Sequence, residues 1–367
     1  MIEGTELAEV SFESGIWLIP VITTNLILLG IGIFYYTKKL PVKIRNAINF
    51  IFNFEVSRNV ALFVVVTITF FYVGSAMIDS SNDESKQLGD YEGVLRTVEN
   101  WPFGVQETPS LAVLHVKNFL LKVSLEVFQN IKIIPFLGSI SLLLLTYFFT
   151  VAITKKRFAG IVAMLILVQS YTFLRFDTVA TYSNFWTLFY LLSLFLILNR
   201  WYLSPISYFA SIFSKPLTAA YLPLTLFFIY RSDISKKKKI RVAIPYLIIF
   251  AMILGIIFVG GPQLVELQDF NFNDFWNGFT TWSFQLRYDT IFLLFILPVT
   301  VGLYLTSKKG VQYADAILLL IIGVIFAMPL MAGTTTYNLH PYRYVPLIVF
   351  FAIGVGMLFS KKITPQV

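Results

Sequence analysis

One short segment of the chain collects carboxylates that could do acid–base chemistry. The stretch DSSNDESKQLGDYEGVLRTVEN, residues 79–100, follows an apolar run and contains six acidic residues. A carboxylate held at the end of a membrane helix can take the proton of an acceptor hydroxyl. The candidates are Asp90, beside Tyr91, and the neighbouring pair Asp83 and Glu84. The simpler interpretation is a solvated loop or a helix cap.

Cationic and aromatic residues stand at the ends of other apolar runs, in a pattern that suits a phosphate ligand. Lys215 lies at a predicted bend between two apolar segments, where an ammonium group is costly unless it reaches water or a phosphate. Arg343 lies between Tyr342 and Tyr344, just before the last apolar run. Fixed cations hold a phosphate and stabilise the charge that develops when a sugar–phosphate bond breaks. Further candidate binding residues are Arg175, Asp177, Arg287 and His340.

Each of these residues also has a structural interpretation. Arg175 and Asp177 can pair across a tight turn, which would need no ligand. Arg343 with its flanking tyrosines is also typical of an anchor at the membrane interface. A single interfacial histidine such as His340 is more often a hydrogen-bonding partner than a catalyst.

The composition of the chain indicates a membrane protein. Of its 367 residues, 57% are hydrophobic and 17% aromatic, which is more apolar surface than a soluble domain of this size can bury. The net charge of +8 comes from short basic clusters between apolar runs, a pattern of membrane topology rather than of nucleic-acid binding. With no Cys and two His, disulfides, thiol nucleophiles and Cys- or His-rich metal centres are excluded.

The apolar runs predict an all-α, polytopic integral membrane protein with about eleven transmembrane helices, since a crossing takes about 20 apolar residues. The predicted helices are 16–36, 59–78, 131–153, 158–174, 181–199, 204–214, 217–230, 241–260, 289–306, 313–331 and 342–360. Two further segments are too polar to cross. Residues 41–58 predict an amphipathic helix on the cytoplasmic leaflet, and residues 109–128 an interfacial helix on the outer face.

The distribution of Lys and Arg predicts the orientation. With eleven crossings, the basic clusters all fall on one side, which the positive-inside rule makes the cytoplasm. The acidic segment 79–100 then lies on the opposite side, together with Lys215 and Arg343. We expect a multi-pass protein of the cell membrane, or of the endoplasmic reticulum membrane in a eukaryote, with its N-terminus outside and its C-terminus in the cytoplasm. The acidic first residues argue against a signal peptide, so helix 16–36 is predicted to be retained.

Three motifs resemble the C-type glycosyltransferase superfamily (GT-C), which includes protein mannosyltransferases, aminoarabinose transferases and GPI mannosyltransferases. GDYEGVLRTVENWPFGVQETPSLAVLHV is similar to that family's first outer loop, with an acid and an aromatic residue before Thr-Pro and an interfacial helix. FASIFSKPLTAAYLPLTLFF resembles its helix pair around a lysine, and NLHPYRYVPLIVFF its entry to a late helix. The resemblance covers about residues 59–360 of a single transmembrane domain, 1–367, and helix 16–36 is an addition to the commonest family pattern.

The resemblance implies a sugar transfer at the non-cytoplasmic face, inverting, from a polyprenyl- or dolichyl-phosphate-linked hexose or pentose. The acceptor would be a protein, lipid or glycan, and a membrane partner subunit is possible because the chain has no soluble acceptor-binding domain. Asp90 best matches the family's catalytic acid, with Asp83 and Glu84 as the alternative. Some family members use a divalent cation such as Mg²⁺ or Mn²⁺ and others do not, so no metal ligand is assigned.

Two other functions fit a polytopic membrane protein of this composition. A lipid or polysaccharide transporter should show charges near the membrane centre and paired broken helices in two related halves. The sequence has one such break, at Lys215-Pro216, and no second copy. An O-antigen-type polymerase or ligase should have large, Arg-rich outer loops, whereas the loops here are modest.

Overall fold

The structure of the chain, a computed structural model, consists of helices and their connections in the part that it describes. The described residues are 18–80, 90–101, 115–260, 269–286, 289–334 and 341–360. In chain order the α-helices are α1 (Leu18–Tyr36), α2 (Val42–Asn53), α3 (Arg58–Ser80), α4 (Tyr91–Asn100), α5 (His115–Phe128), α6 (Ile133–Thr154), α7 (Arg157–Val168), α8 (Tyr171–Arg175), α9 (Phe185–Asn199), α10 (Ser204–Ile212), α11 (Leu222–Arg231), α12 (Lys236–Gly260), α13 (Phe272–Leu286), α14 (Thr290–Lys308), α15 (Ala314–Thr334) and α16 (Val345–Met357). Short 3-10 turns occupy Trp201–Leu203, Pro216–Tyr221 and Pro341–Tyr344. No β-strand occurs in these ranges, so the predicted all-α class is confirmed.

Some of the helices are long and apolar enough to cross a membrane. Four meet both criteria within the described ranges: Arg58–Met77, Ile133–Thr154, Thr290–Lys308 and Ala314–Thr334. Shorter apolar helices are Ile19–Tyr35, Arg157–Val168, Phe185–Asn199 and Tyr342–Met357. Most predicted apolar runs fold as helices close to their predicted bounds, but the predicted helix 158–174 is divided into α7 and α8. The number of eleven crossings is a finer statement than these lengths support.

The outward surface of α3 is strongly apolar. Phe63, Phe70 and Phe71 are each about seven-tenths exposed, and Leu62 beside them is also exposed. Contiguous aromatic and aliphatic surface of this kind is rare on soluble monomers, because water would have to solvate it. This face of α3 is suited to contact with lipid.

The centre of the helical bundle is α16, which is apolar on all sides and buried along almost its whole length. It packs against α7, α14 and α15. Gly356 permits the closest of these approaches, because a Cβ at that position would lie 2.6 Å from the carbonyl oxygen of Ala159 on α7. The packing of α16 fixes the 3-10 turn that precedes it, Pro341–Tyr344.

A break between α10 and α11 places Lys215 at a bend. The residue before a proline is driven out of the helical region by the proline ring, and Lys215, which precedes Pro216, has an extended backbone. The chain then continues as a 3-10 turn into α11. The sequence prediction of two short helices meeting at Lys215 agrees with this arrangement.

Two polar helices have no counterpart among the predicted elements. Both α4 and α13 are amphipathic and contain charged or polar residues on one side, so they were not detected as apolar runs. The predicted interfacial helix within 109–128 is present as α5. Val98 of α4 and Leu121 of α5 are fully buried in a small apolar cluster, which holds the two helices together.

Two contacts of basic residues mark one end of the bundle. Arg231, at the end of α11, pairs with Asp315 at the start of α15 with an Nε–Oδ2 distance of 2.7 Å. At the same end, the Lys156 ammonium group donates a hydrogen bond to the carbonyl oxygen of Phe52. Lys215 lies before the start of α11 and Arg231 at its end, so Lys215 lies at the opposite end, together with the turn before α16 that it contacts.

Candidate functional site

Four side chains from distant parts of the sequence meet at that opposite end. The Tyr182 hydroxyl donates a hydrogen bond to Oδ2 of Asp90, over an O–O distance of 2.7 Å. The Tyr182 ring stacks on the Tyr342 ring, with centroids 4.4 Å apart and an interplanar angle of 12°. The Lys215 ammonium group donates to the Tyr342 hydroxyl and lies 4.7 Å from the centroid of its ring. A continuous series of contacts thus runs from the acidic segment to the lysine.

The helices α4 and α5 determine where Asp90 lies. It immediately precedes α4, and its carbonyl oxygen accepts the first helical hydrogen bond, from the amide of Val94 at 3.1 Å. Lys122 of α5 donates to the carbonyl oxygen of Glu99 at 2.7 Å, which joins the far end of α4 to α5. The Asp90 side chain itself is exposed, so its carboxylate remains accessible to a ligand.

The connection between α8 and α9 carries Tyr182, and hydrogen bonds fix its backbone. Lys117 of α5 is buried, and its ammonium group donates to the carbonyl oxygen of Thr181 at 2.5 Å. Ser139 of α6 donates to the carbonyl oxygen of Asp177 at 2.8 Å. Tyr182 therefore projects from a connection that two neighbouring helices hold in place.

Two cations occupy the other side of the stacked rings. Arg343 is buried, with 6% of its surface exposed, and its Cζ atom lies 6.0 Å from the Tyr342 ring centroid. Burial and the nearby Arg343 guanidinium lower the pKa of Lys215 to about 7. A protonated Lys215 is therefore repelled by its neighbour, and a bound anion would relieve that repulsion.

The tyrosine hydroxyl that contacts Asp90 is a firm hydrogen-bond donor. Burial and the Asp90 carboxylate together raise the pKa of Tyr182 above its usual value. The hydroxyl is therefore protonated at neutral pH, and a hydrogen bond from it to a carboxylate is charge-assisted and stronger than a neutral one. At neutral pH, Tyr182 can therefore orient the Asp90 carboxylate while its own hydroxyl keeps its proton.

The remaining described candidates are Arg175, Asp177 and Tyr91. Arg175 is exposed, and its guanidinium contacts the Tyr171 hydroxyl at 3.2 Å. Asp177 is almost fully buried beneath the same connection. Tyr91 packs partly buried against the apolar cluster that joins α4 to α5. Asp177 and Tyr91 thus lie in elements that support Tyr182 and Asp90, and the binding role of all three residues stays a prediction.

Four predicted site residues fall outside the described part of the chain. They are Asp83, Glu84, Arg287 and His340. Across the ranges that are described, no group of three His, Asp or Glu side chains is placed to hold a metal ion.

Sequence reasoning missed residues that the structure makes prominent. Tyr182 was overlooked because a tyrosine in a short polar connection resembles any other interfacial aromatic residue. Lys117 belongs to the segment 109–128, which is too polar to cross, and the sequence does not reveal its contact with Thr181. Asp289, which directly precedes a predicted apolar run, is buried, and its Oδ1 accepts a hydrogen bond from the Ser170 hydroxyl at 2.5 Å. Asp289 stands at the N-cap position of α14 but its side chain caps no amide there, so the cap signal does not reveal its contacts with Ser170 and Thr172.

Comparisons of the chain with protein-family models, with curated proteins and with solved structures find no match.

Proposed function

We propose that the chain is a membrane-embedded glycosyltransferase that uses a polyprenyl- or dolichyl-phosphate-linked sugar as its donor. The observation that carries this proposal is the pair of partly or fully buried cations, Lys215 and Arg343, joined through Tyr342 and Tyr182 to Asp90. An anion site and a carboxylate next to one another are what transfer from a phosphate-linked donor needs.

The proposed reaction divides its chemistry between the two sides of the stacked rings. The acceptor hydroxyl attacks the anomeric carbon of the sugar, and its proton passes to Asp90. The bond between that carbon and the phosphate oxygen breaks, and polyprenyl phosphate leaves with the bonding electrons. Lys215 and Arg343 stabilise the negative charge that develops on the leaving phosphate. Attack opposite the leaving group inverts the anomeric configuration.

The lipid-linked donor accounts for the apolar surroundings of the site. A polyprenyl chain must remain in the bilayer while its phosphate reaches the cations, which favours a site at the end of a helical bundle. The basic sequence clusters Lys155–Arg157 and Lys236–Lys239 border the opposite end of the helices and support a non-cytoplasmic position for Asp90, by the positive-inside rule. We therefore place the reaction on the non-cytoplasmic face, with the chain spanning the membrane several times.

A transfer assay with a panel of donors tests the proposal whichever sugar the chain uses. Membranes that contain the chain are supplied with several polyprenyl-phosphate-linked hexoses and pentoses, and free polyprenyl phosphate is measured by mass spectrometry. We expect the chain to consume at least one donor. Asp90→Asn should lower the rate by about 10²-fold or more, because a general base contributes that much, while donor affinity is retained.

Glu92→Gln is the matched control, because Glu92 is an exposed acid two positions from Asp90 in the first turn of α4. Its rate should stay that of the unmodified chain. Full transfer by Asp90→Asn would refute the assignment of the base. If the chain is shown to be folded in the membranes but consumes no donor in the panel, the proposed glycosyltransferase activity would be refuted.

A further inference from the structure

Beyond the base and the phosphate ligands, we propose that Tyr182 is the positioning residue of the site and fixes the Asp90 carboxylate relative to Lys215 and Arg343. Its consequence for catalysis rests on the function proposed above, but the positioning itself is a property of the folded chain. No sequence motif singled out Tyr182, and its assignment comes from its contacts alone.

Tyr182 contacts both sides of the site at once. Its hydroxyl holds Asp90 at 2.7 Å, and its ring lies flat against Tyr342, whose hydroxyl accepts from Lys215. Offset-stacked aromatic rings resist relative rotation, so the Tyr342 ring limits where the Tyr182 hydroxyl can lie. Through its hydrogen bond to Asp90, the Tyr182 hydroxyl also limits where the Asp90 carboxylate can lie.

Asp90 needs such a restraint because, among the described residues, Tyr182 is the one that holds its side chain by a hydrogen bond. The carboxylate is exposed, and an exposed aspartate samples several rotamers. General-base catalysis requires the carboxylate within hydrogen-bond reach of the acceptor, and a misplacement of about 1 Å is costly. Lys117 holds the backbone beside Tyr182, and Tyr342 holds its ring. The Tyr182 hydroxyl therefore holds the Asp90 carboxylate in one position.

The contacts of the two tyrosines can be separated by removing single hydroxyls. Tyr182→Phe keeps the ring stack but deletes the donor to Asp90. Tyr342→Phe keeps the stack but deletes the acceptor for Lys215. If Tyr182 positions Asp90, the first variant disturbs Asp90 and α4, and the second leaves them unchanged.

Spin-label distances test the positioning independently of any ligand. The chain contains no cysteine, so Glu92→Cys on α4 and Asn199→Cys at the end of α9 give two unique, exposed labelling positions. Helix α9 begins shortly after Tyr182 and is packed against α6 and α10, so it serves as a fixed reference. We expect one narrow distance distribution in the parent and a broadened or shifted one in Tyr182→Phe. Tyr342→Phe should match the parent.

Tyr171→Phe is the matched control, because Tyr171 is a partly exposed tyrosine on α8, in the same polypeptide region, with a hydroxyl that accepts from Arg175. It should leave the label distances unchanged. A distribution in Tyr182→Phe that is identical to that of the parent would overturn the positioning role. An equal change in Tyr171→Phe would also overturn it, since any lost hydroxyl would then suffice.

A binding measurement on the same proteins separates this inference from the proposed function. Polyprenyl phosphate affinity should be unchanged in Tyr182→Phe, and kcat for transfer should fall about tenfold with KM unchanged, as expected for one charge-assisted hydrogen bond. If the parent bound no polyprenyl phosphate, the proposed function would fail, and the label distances would still decide the role of Tyr182. A Tyr182→Phe variant with an unchanged kcat would refute its contribution to transfer.

Discussion

The depressed pKa of Lys215 predicts that binding of a phosphate-linked donor weakens as the pH rises. Burial and Arg343 bring this pKa to about 7, so the ammonium group of the free protein loses its proton near neutral pH. A bound phosphate favours the protonated form, so binding takes up a proton wherever free Lys215 is deprotonated. Affinity is therefore full well below pH 7 and declines above it.

The magnitude follows from the protonated fraction of Lys215. With a pKa of about 7, that fraction is roughly 0.9 at pH 6 and roughly 0.03 at pH 8.5. If only the protonated form binds, the affinity falls by up to about 30-fold across this interval, which equals about 2 kcal/mol. A neutral lysine that still donates a hydrogen bond would reduce the effect.

Isothermal titration calorimetry on the chain in lipid nanodiscs measures this linkage. The ligand should be a polyprenyl-phosphate-linked sugar, because a phosphodiester keeps one negative charge throughout the interval and adds no titration of its own. Titrations in two buffers with different ionisation enthalpies report proton uptake directly. We expect uptake of nearly one proton per ligand at pH 8 and almost none at pH 6.

Lys215→Arg provides the control, since a guanidinium stays protonated over the whole interval. It should bind the donor with almost no dependence on pH, although a less favourable geometry can lower the affinity uniformly. The reasoning would be refuted if the parent bound equally well at pH 6 and pH 8.5, or if Lys215→Arg kept the full dependence.

Three further predictions concern stability and lipid contacts. Gly356→Val should destabilise the bundle by about 1–3 kcal/mol, because even its Cβ would lie 2.6 Å from a backbone oxygen, whereas Gly74→Ala, with nothing within 4 Å, should not. Thermal unfolding in detergent, followed by tryptophan fluorescence, compares the two. Asp289→Asn should lower the same unfolding temperature, because the buried carboxylate accepts hydrogen bonds from two hydroxyls and a backbone amide. The expected loss in free energy of unfolding is about 1–3 kcal/mol. Replacing Lys43 and Arg45 of the exposed helix α2 by Gln should reduce co-purified anionic lipid, measured by mass spectrometry, because cations beside an exposed apolar face favour an anionic bilayer surface. An unchanged lipid content in that variant would contradict a role for α2 at the membrane surface.

The helices of the bundle were predictable because length and hydropathy determine them. The apolar runs at 16–36, 59–78 and 131–153 appear within about two residues of their observed bounds. The amphipathic helices α4 and α13 were missed because their apolar residues are spaced along one face and form no continuous run. The polar helices predicted within 41–58 and 109–128 are present as α2 and α5.

The site was predictable in part. Lys215 was identified because a charge between apolar helices is costly, and Asp90 because its loop resembles the GT-C pattern. The structure brings both to the same end of the bundle as Arg343. Tyr182 was not identifiable, because its importance depends on contacts with Tyr342, 160 positions away in the sequence. Residue type reveals which groups can do chemistry, whereas the residues that hold them in place depend on tertiary contacts.

The most direct measurement of the central claim is a cryo-EM structure of the chain in a nanodisc with polyprenyl phosphate, using a bound antibody fragment for alignment. The expected result is phosphate density within hydrogen-bond distance of Lys215 Nζ and the Arg343 guanidinium, with the Asp90 carboxylate held by Tyr182 and facing the same cavity. Phosphate density elsewhere on the protein, with Lys215 and Arg343 in contact only with protein groups, would contradict the proposed donor site.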